Sequence, residues 1–125
     1  MKSLDDYKNG AQSILLSGIS DTDTILYVKS GDGTKFPSPS FNCIIWNQTD
    51  YPNPTTDPAY EIVQVTSISG DGFSIARAQE STTAVTHNTY GKTYGFAAAV
   101  TAKLLTVDIP IALNNIKAFN WFLNI

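Results

Sequence analysis

A mainly β domain, a small antiparallel sandwich or barrel-like body followed by a C-terminal helix or extended tail, is what this sequence predicts. Three observations point there. Thr, Ser, Asn, Gly and Pro are abundant while Leu, Glu and Lys are sparse, a balance that favours strands and turns over helices. Short apolar segments recur along the chain, and turn signals separate them at intervals that suit an antiparallel sheet.

The segments in order are Ser13 to Ser17, Thr24 to Val28, Phe41 to Trp46, Tyr60 to Ile68, Phe73 to Ala76 and Thr93 to Val100. Before the second, Asp21 and Asp23 sit in I-S-D-T-D-T, where short carboxylates bond neighbouring N–H groups and hold a turn. A calcium loop needs a longer ligand series than these two supply, so turn chemistry is the better account. The tetrapeptide S-G-D-G occurs at Ser30 to Gly33 and again at Ser69 to Gly72. Each copy offers glycines for positive φ in a tight connection, and the second reads as a hairpin turn between Ile68 and Phe73. Neither is followed by a helix whose N-terminus would receive a phosphate.

Prolines 37, 39, 52, 54 and 58 mark two stretches that cannot lie within central strands. The second, D-Y-P-N-P-T-T-D-P, reads as a long surface loop with Trp46, Tyr51 and Tyr60 at its margins. A plain excursion loop is the simpler expectation. Exposed aromatics such as Trp46, Tyr51 and Tyr90 would instead serve as stacking platforms for a host surface glycan or as partner contacts.

The ending changes character. Ile109, Leu113, Ile116, Phe119 and Phe122 recur at spacings of three and four, which suits one face of a helix capped by Asp108, with Pro110 in its first turn. Ile109, Ile111 and Leu113 also alternate as a strand would. Trp121, Leu123 and Ile125 add apolar surface off that stripe, so the segment needs cover. The division expected is an N-terminal arm over residues 1–10, a β domain over 11–103 and an apolar segment over 104–125. Ile116, Phe119, Trp121, Phe122 and Leu123 would dock it on other copies of the chain or on a partner.

Composition restricts function. With 15% charged residues, a net charge of -3 and no cluster of Lys or Arg, a nucleic-acid-binding face is not expected. No apolar run approaches the roughly 20 residues that span a bilayer, so no membrane insertion is expected, and M-K-S-L-D-D-Y-K-N-G lacks the apolar core of a secretion signal. Cys43, the single cysteine, lies in the apolar run F-N-C-I-I-W and reads as a buried residue. One Cys and one His make a poor metal site, and no cofactor is implied. His87 is also the sole base available to a Ser–His–acid arrangement. Its neighbours Ser81, Thr82, Thr83 and Thr86 sit in no strained nucleophile elbow, so an enzyme is not expected.

The same stretch admits a structural account. Arg77 leaves a strand and can donate to carbonyls of the turn that follows, with Glu61 or Glu80 as its carboxylate partner. His87 can cap a backbone group, and Gly91 permits re-entry into the next strand.

From I-V-Q-V-T-S-I-S-G-D-G-F through I-A-R-A-Q-E-S-T-T-A-V-T-H-N-T-Y-G-K, the chain resembles a short module of tailed-bacteriophage structural proteins. That module occurs in tail-fibre, baseplate and head-fibre components. Its run is approximately an acidic strand, then R-G-x-x-G-T-x-A-x-x-H-x-x-G, then a strand ending in T-A. The matching positions here are Glu61, Arg77, Thr82 or Thr83, Ala84, His87, Gly91 and Val100 to Ala102. The earlier I-S-D-T-D-T-I-L-Y-V-K-S-G-D-G-T-K-F-P also looks like the module's opening, so the resemblance spans about Leu15 to Ala102. Ala78 and Ser81 depart from it, standing where the family often carries Gly. The resemblance implies a virion structural protein, a head-fibre or capsid-decoration or a tail-fibre or baseplate component. It would assemble as a homotrimer and dock on other virion proteins.

Overall fold

The computed structural model describes residues 11–88 and 90–98. The N-terminal arm, the helix-or-tail expectation over 104–125 and the docking residues Ile116, Phe119, Trp121, Phe122 and Leu123 lie outside the described residues.

Among the described residues six strands form one sheet: β1 (Gln12–Ile14), β2 (Ile25–Tyr27), β3 (Phe41–Asn47), β4 (Glu61–Ser69), β5 (Gly72–Gln79) and β6 (Tyr94–Ala98). Each corresponds to one of the expected segments. They lie in the order β1-β6-β3-β4-β5-β2 with every pair antiparallel. The sheet curls into a half-barrel, which decides between the two expected architectures. No second sheet is needed, because curling lets one sheet bury its own concave face. Register breaks between Ile62 and Gln64 and between Val65 and Ser67 give β4 and β5 the extra twist that curling requires. The two edge strands meet at one point, where Leu15 pairs with Val28 and the N–H of Leu16 donates to the Tyr27 carbonyl at 2.8 Å.

Alternation sets the core. Phe41, Cys43 and Ile45 of β3, Val63 and Val65 of β4, Phe73 and Ile75 of β5 and Phe96 of β6 all point inward and are buried. Phe36, delivered by a short 3-10 turn (Asp32–Lys35), packs among them with ring centroids 4.9 Å from Phe73 and 5.4 Å from Phe96. Cys43 is fully buried, and burial pushes its thiol pKa well above the usual value. On the opposite face Ile44, Trp46 and Ile62 form a smaller buried cluster.

The two S-G-D-G copies clasp one another. The second makes the β4–β5 turn, with Gly70 at φ 60°, and the first leads into the 3-10 turn, with Gly31 at φ 86°. The Asp71 carboxylate of the second accepts from the N–H groups of Gly31 (3.1 Å) and Gly33 (3.0 Å) of the first. Gly33 sits so close that a Cβ there would lie 1.9 Å from the Gly70 carbonyl oxygen.

The proline-rich stretch runs over the surface, with Pro52, Asn53, Thr55, Thr56, Pro58 and Ala59 exposed, but it is pinned by local hydrogen bonds. It contains a 3-10 turn (Pro54–Thr56) capped by Asn53, and buried Asp57 accepts from the N–H groups of Asn47 and Ala59, each at 2.8 Å. Lys92 reaches Asp50 at 2.9 Å and fastens the loop to the chain entering β6.

Candidate functional site

Glu61 opens β4 opposite Ile45, so its side chain projects onto the core face of the sheet. Arg77 follows Phe73 and Ile75 at the same inward parity on β5. A carboxylate and a guanidinium are thus brought together at one end of an otherwise apolar interior. Such burial is tolerable only when both charges are paired and hydrogen-bonded.

They are. Arg77 Nε and Nη2 donate to the two oxygens of Glu61, each at 2.8 Å, in a bidentate fork. Its Nη1 donates to the carbonyls of Ser20 (2.7 Å) and Asp23 (2.8 Å), and Nη2 also donates to the carbonyl of Val85 (2.8 Å). All five N–H groups of the guanidinium therefore have partners. Glu61 further accepts from the Ala78 N–H at 3.0 Å and meets His87 Nε2 at 2.8 Å. Burial pushes the Glu61 carboxyl upward, but hydrogen bonds from Arg77, His87 and Ala78 outweigh it and hold the pKa down at about 2. The carboxylate is ionised at neutral pH, so His87 carries its proton on Nε2 and donates it.

His87 is 1% exposed. Its backbone exchanges two hydrogen bonds with Ile19, both at 2.9 Å, and its ring stands edge-on to Tyr94 with centroids 5.6 Å apart. Of the hydroxyls around it, Thr82 Oγ1 is occupied by the Gln79 carbonyl (2.6 Å) and the Ile62 N–H (3.0 Å). The cluster knots together the turn at Ser20 to Asp23, β4, β5 and the stretch from Thr82 to His87.

Of the two carboxylates considered for Arg77, the structure supplies Glu61. Glu80 instead accepts from Asn42 Nδ2 at 2.6 Å. The ring of His87 bonds a carboxylate rather than capping a backbone group. Gly91 adopts φ 69° in the turn before β6. Ala78 (φ 55°) and Ser81 (φ 66°), the two positions without the expected glycine, both lie in the left-handed region, as does Glu80 (φ 52°).

The three aromatic residues expected as stacking platforms or partner contacts differ in exposure. Trp46 is only 8% exposed, and its six-membered ring occupies the place a side chain would take at Gly95, within 2.5 to 2.6 Å of a Cβ there. An indole enclosed in this way offers no face to a sugar ring, which corrects its expected role. Tyr51 is half-buried, and Tyr90 is 90% exposed.

Sequence reasoning missed the carbonyls of Ser20, Asp23 and Val85, because a backbone acceptor leaves no mark in the residue type. It also missed Asn42, whose signal was a polar amide inside an apolar run. Among the described residues no group of three or more His, Cys, Asp or Glu side chains is placed to hold a metal ion. No known protein-family model matches the chain, and no curated protein matches it significantly.

Proposed function

We propose that the chain is a structural protein of a tailed-bacteriophage virion, of head-fibre or capsid-decoration or of tail-fibre or baseplate type. On this reading it has no catalytic role, assembles as a homotrimer and docks on other virion proteins. One observation carries the reading. The residues that bear the resemblance, Glu61, Arg77 and His87, converge on a single buried knot, and every donor of the guanidinium holds a carboxylate or a backbone carbonyl. A knot of that kind fastens irregular backbone, as a scaffold module requires, and commits the guanidinium's donors to that task. The left-handed backbone at Ala78 and Ser81 supports it too, since glycine is the residue that such conformations favour.

Assembly is argued from the sequence of 104–125, whose aromatic and aliphatic residues exceed what a small β domain with its own core needs to bury. Light scattering tests it. The full chain is expected at a mass of three copies, and a chain ended after Lys103 at the mass of one. A full chain that stays monomeric as concentration rises would overturn the assembly reading.

A further inference from the structure

Three of the four large apolar side chains that stay exposed among the described residues gather in one place: Leu16, Ile25 and Tyr27 are 66%, 52% and 54% exposed. The register puts them together. Leu15 pairs with Val28 and both are buried, so Leu16 and Tyr27, one step further along each chain, stand opposite each other on the outer face. The hydrogen bond from the Leu16 N–H to the Tyr27 carbonyl belongs to the same pairing. Ile25 lies two residues before Tyr27 on β2 and shares its face.

The neighbouring strand does not cover them. The partners of Tyr27 and Ile25 on β5 are Gly72 and Ser74, so no large side chain of that strand stands beside either. The Tyr27 ring lies against Gly72, where a Cβ would be 3.0 Å from Tyr27 Cε1. Exposed Asp21 and Asp23 precede the patch in the chain and exposed Lys29 follows it. An apolar centre with an aromatic anchor and a charged surround is the anatomy of a docking surface.

Size narrows the occupant. Three side chains cover far less than the roughly 800 Å² per partner of a standard interface between folded domains, so the patch suits a short segment that inserts a few apolar anchors. The chain carries such a segment itself. From Ile109 to Ile125 its only charged side chain is Lys117, whose sign suits the side of the patch next to Asp21 and Asp23.

We propose that the patch of Leu16, Ile25 and Tyr27 receives the apolar C-terminal segment of a neighbouring copy. The inference rests on the assembly reading above and gives that assembly its receiving surface. A segment passed from each copy to the next is a heterologous contact, and three such contacts close a ring.

The test is photo-cross-linking of the full chain with p-benzoylphenylalanine in place of Tyr27, on a mixture of ¹⁵N-labelled and unlabelled copies. Cross-links that join a labelled to an unlabelled copy and end within residues 104–125 are expected. Alongside it, light scattering compares the unaltered chain with the triple variant Leu16→Thr, Ile25→Thr, Tyr27→Thr, which keeps strand formers on β2. Association should weaken at least about tenfold in the triple variant. Tyr90→Thr, which removes the fourth exposed apolar side chain, should associate as the unaltered chain does. If the unaltered chain oligomerises but the cross-links end elsewhere or stay within single copies, or if the triple variant associates undiminished, the patch is not the receiving surface and the assembly reading stands. A monomeric unaltered chain overturns both.

Discussion

Arg77 is the residue on which most separate pieces of chain depend. Removing its side chain leaves the buried Glu61 carboxylate without its cation and frees three carbonyls from a guanidinium they share. Breaking one side of a buried ion pair costs about 3–5 kcal/mol, and Arg77→Ala is expected to lose that much in urea unfolding. Arg77→Lys should recover little, since an ammonium cannot reproduce the five-donor fork. A loss below about 1 kcal/mol for Arg77→Ala would refute the fastening role. Ala78 makes the opposite case. It is exposed and holds φ 55°, which costs a non-glycine residue about 1–2 kcal/mol, against about 0.5–1 kcal/mol for the added chain entropy of glycine. Ala78→Gly should therefore be neutral to stabilising by up to about 1.5 kcal/mol in the same assay, and a clear loss would show that the strain is absent. The roles of Arg77 and Glu61 were partly legible, because an arginine that leaves a strand into a turn needs carbonyls and a carboxylate as partners. The choice of Glu61 over Glu80 was not, since it depends on which carboxylate faces the core.

At the level of elements, the six strands were legible because alternation and turn residues are local properties. Their ends moved by a few residues, as with β5, which runs on to Gln79 because Gln79 pairs with Ile62 across the bulge. The 3-10 turns at Asp32–Lys35 and Pro54–Thr56 were not foreseen, and neither was the clasp between the repeats, which joins positions about forty residues apart in the chain. The clasp is testable through its two glycines. At Gly33 an added methyl meets the Gly70 backbone, so Gly33→Ala is expected to cost about 1–3 kcal/mol and to pull Asp71 off its N–H partners. At Gly31 the space is open, and Gly31→Ala should cost only the left-handed strain less the chain entropy that alanine saves, about 0–1.5 kcal/mol. Chemical-shift changes at residues 69–72 in Gly33→Ala, without the same changes in Gly31→Ala, would separate collision from backbone strain. Identical effects in both would remove the close approach as the cause.

For the molecule as a whole, the knot makes stability depend on acid. The Glu61 carboxyl falls from 4.5 to about 2 on folding, so the folded state gains stability that is fully present above the unfolded value and is lost as pH drops through the folded one. The shift corresponds to about 3 kcal/mol. Asp32 and Asp50 are lowered as well, through their hydrogen bonds to Ser13 and Lys92 respectively, and act in the same direction. The urea midpoint should be nearly flat from neutral pH down to about 5 and fall steeply between about 4.5 and 2. Glu61→Gln should be less stable at neutral pH and show a shallower fall, and an unchanged slope would place the acid sensitivity elsewhere.

By itself the sequence determined the class of the fold, the places of the six described strands along the chain and the hairpin turn at Ser69 to Gly72, because these follow from side-chain alternation and from the backbone freedom of a few residue types. The tertiary structure decided that one sheet curls instead of two sheets stacking, that Glu61 rather than Glu80 takes Arg77, that Trp46 turns away from the surface and that two distant repeats interlock. Each of these depends on which strands become neighbours and in what register, and pairing across long separations is settled by the fit of the whole core rather than by any local pattern.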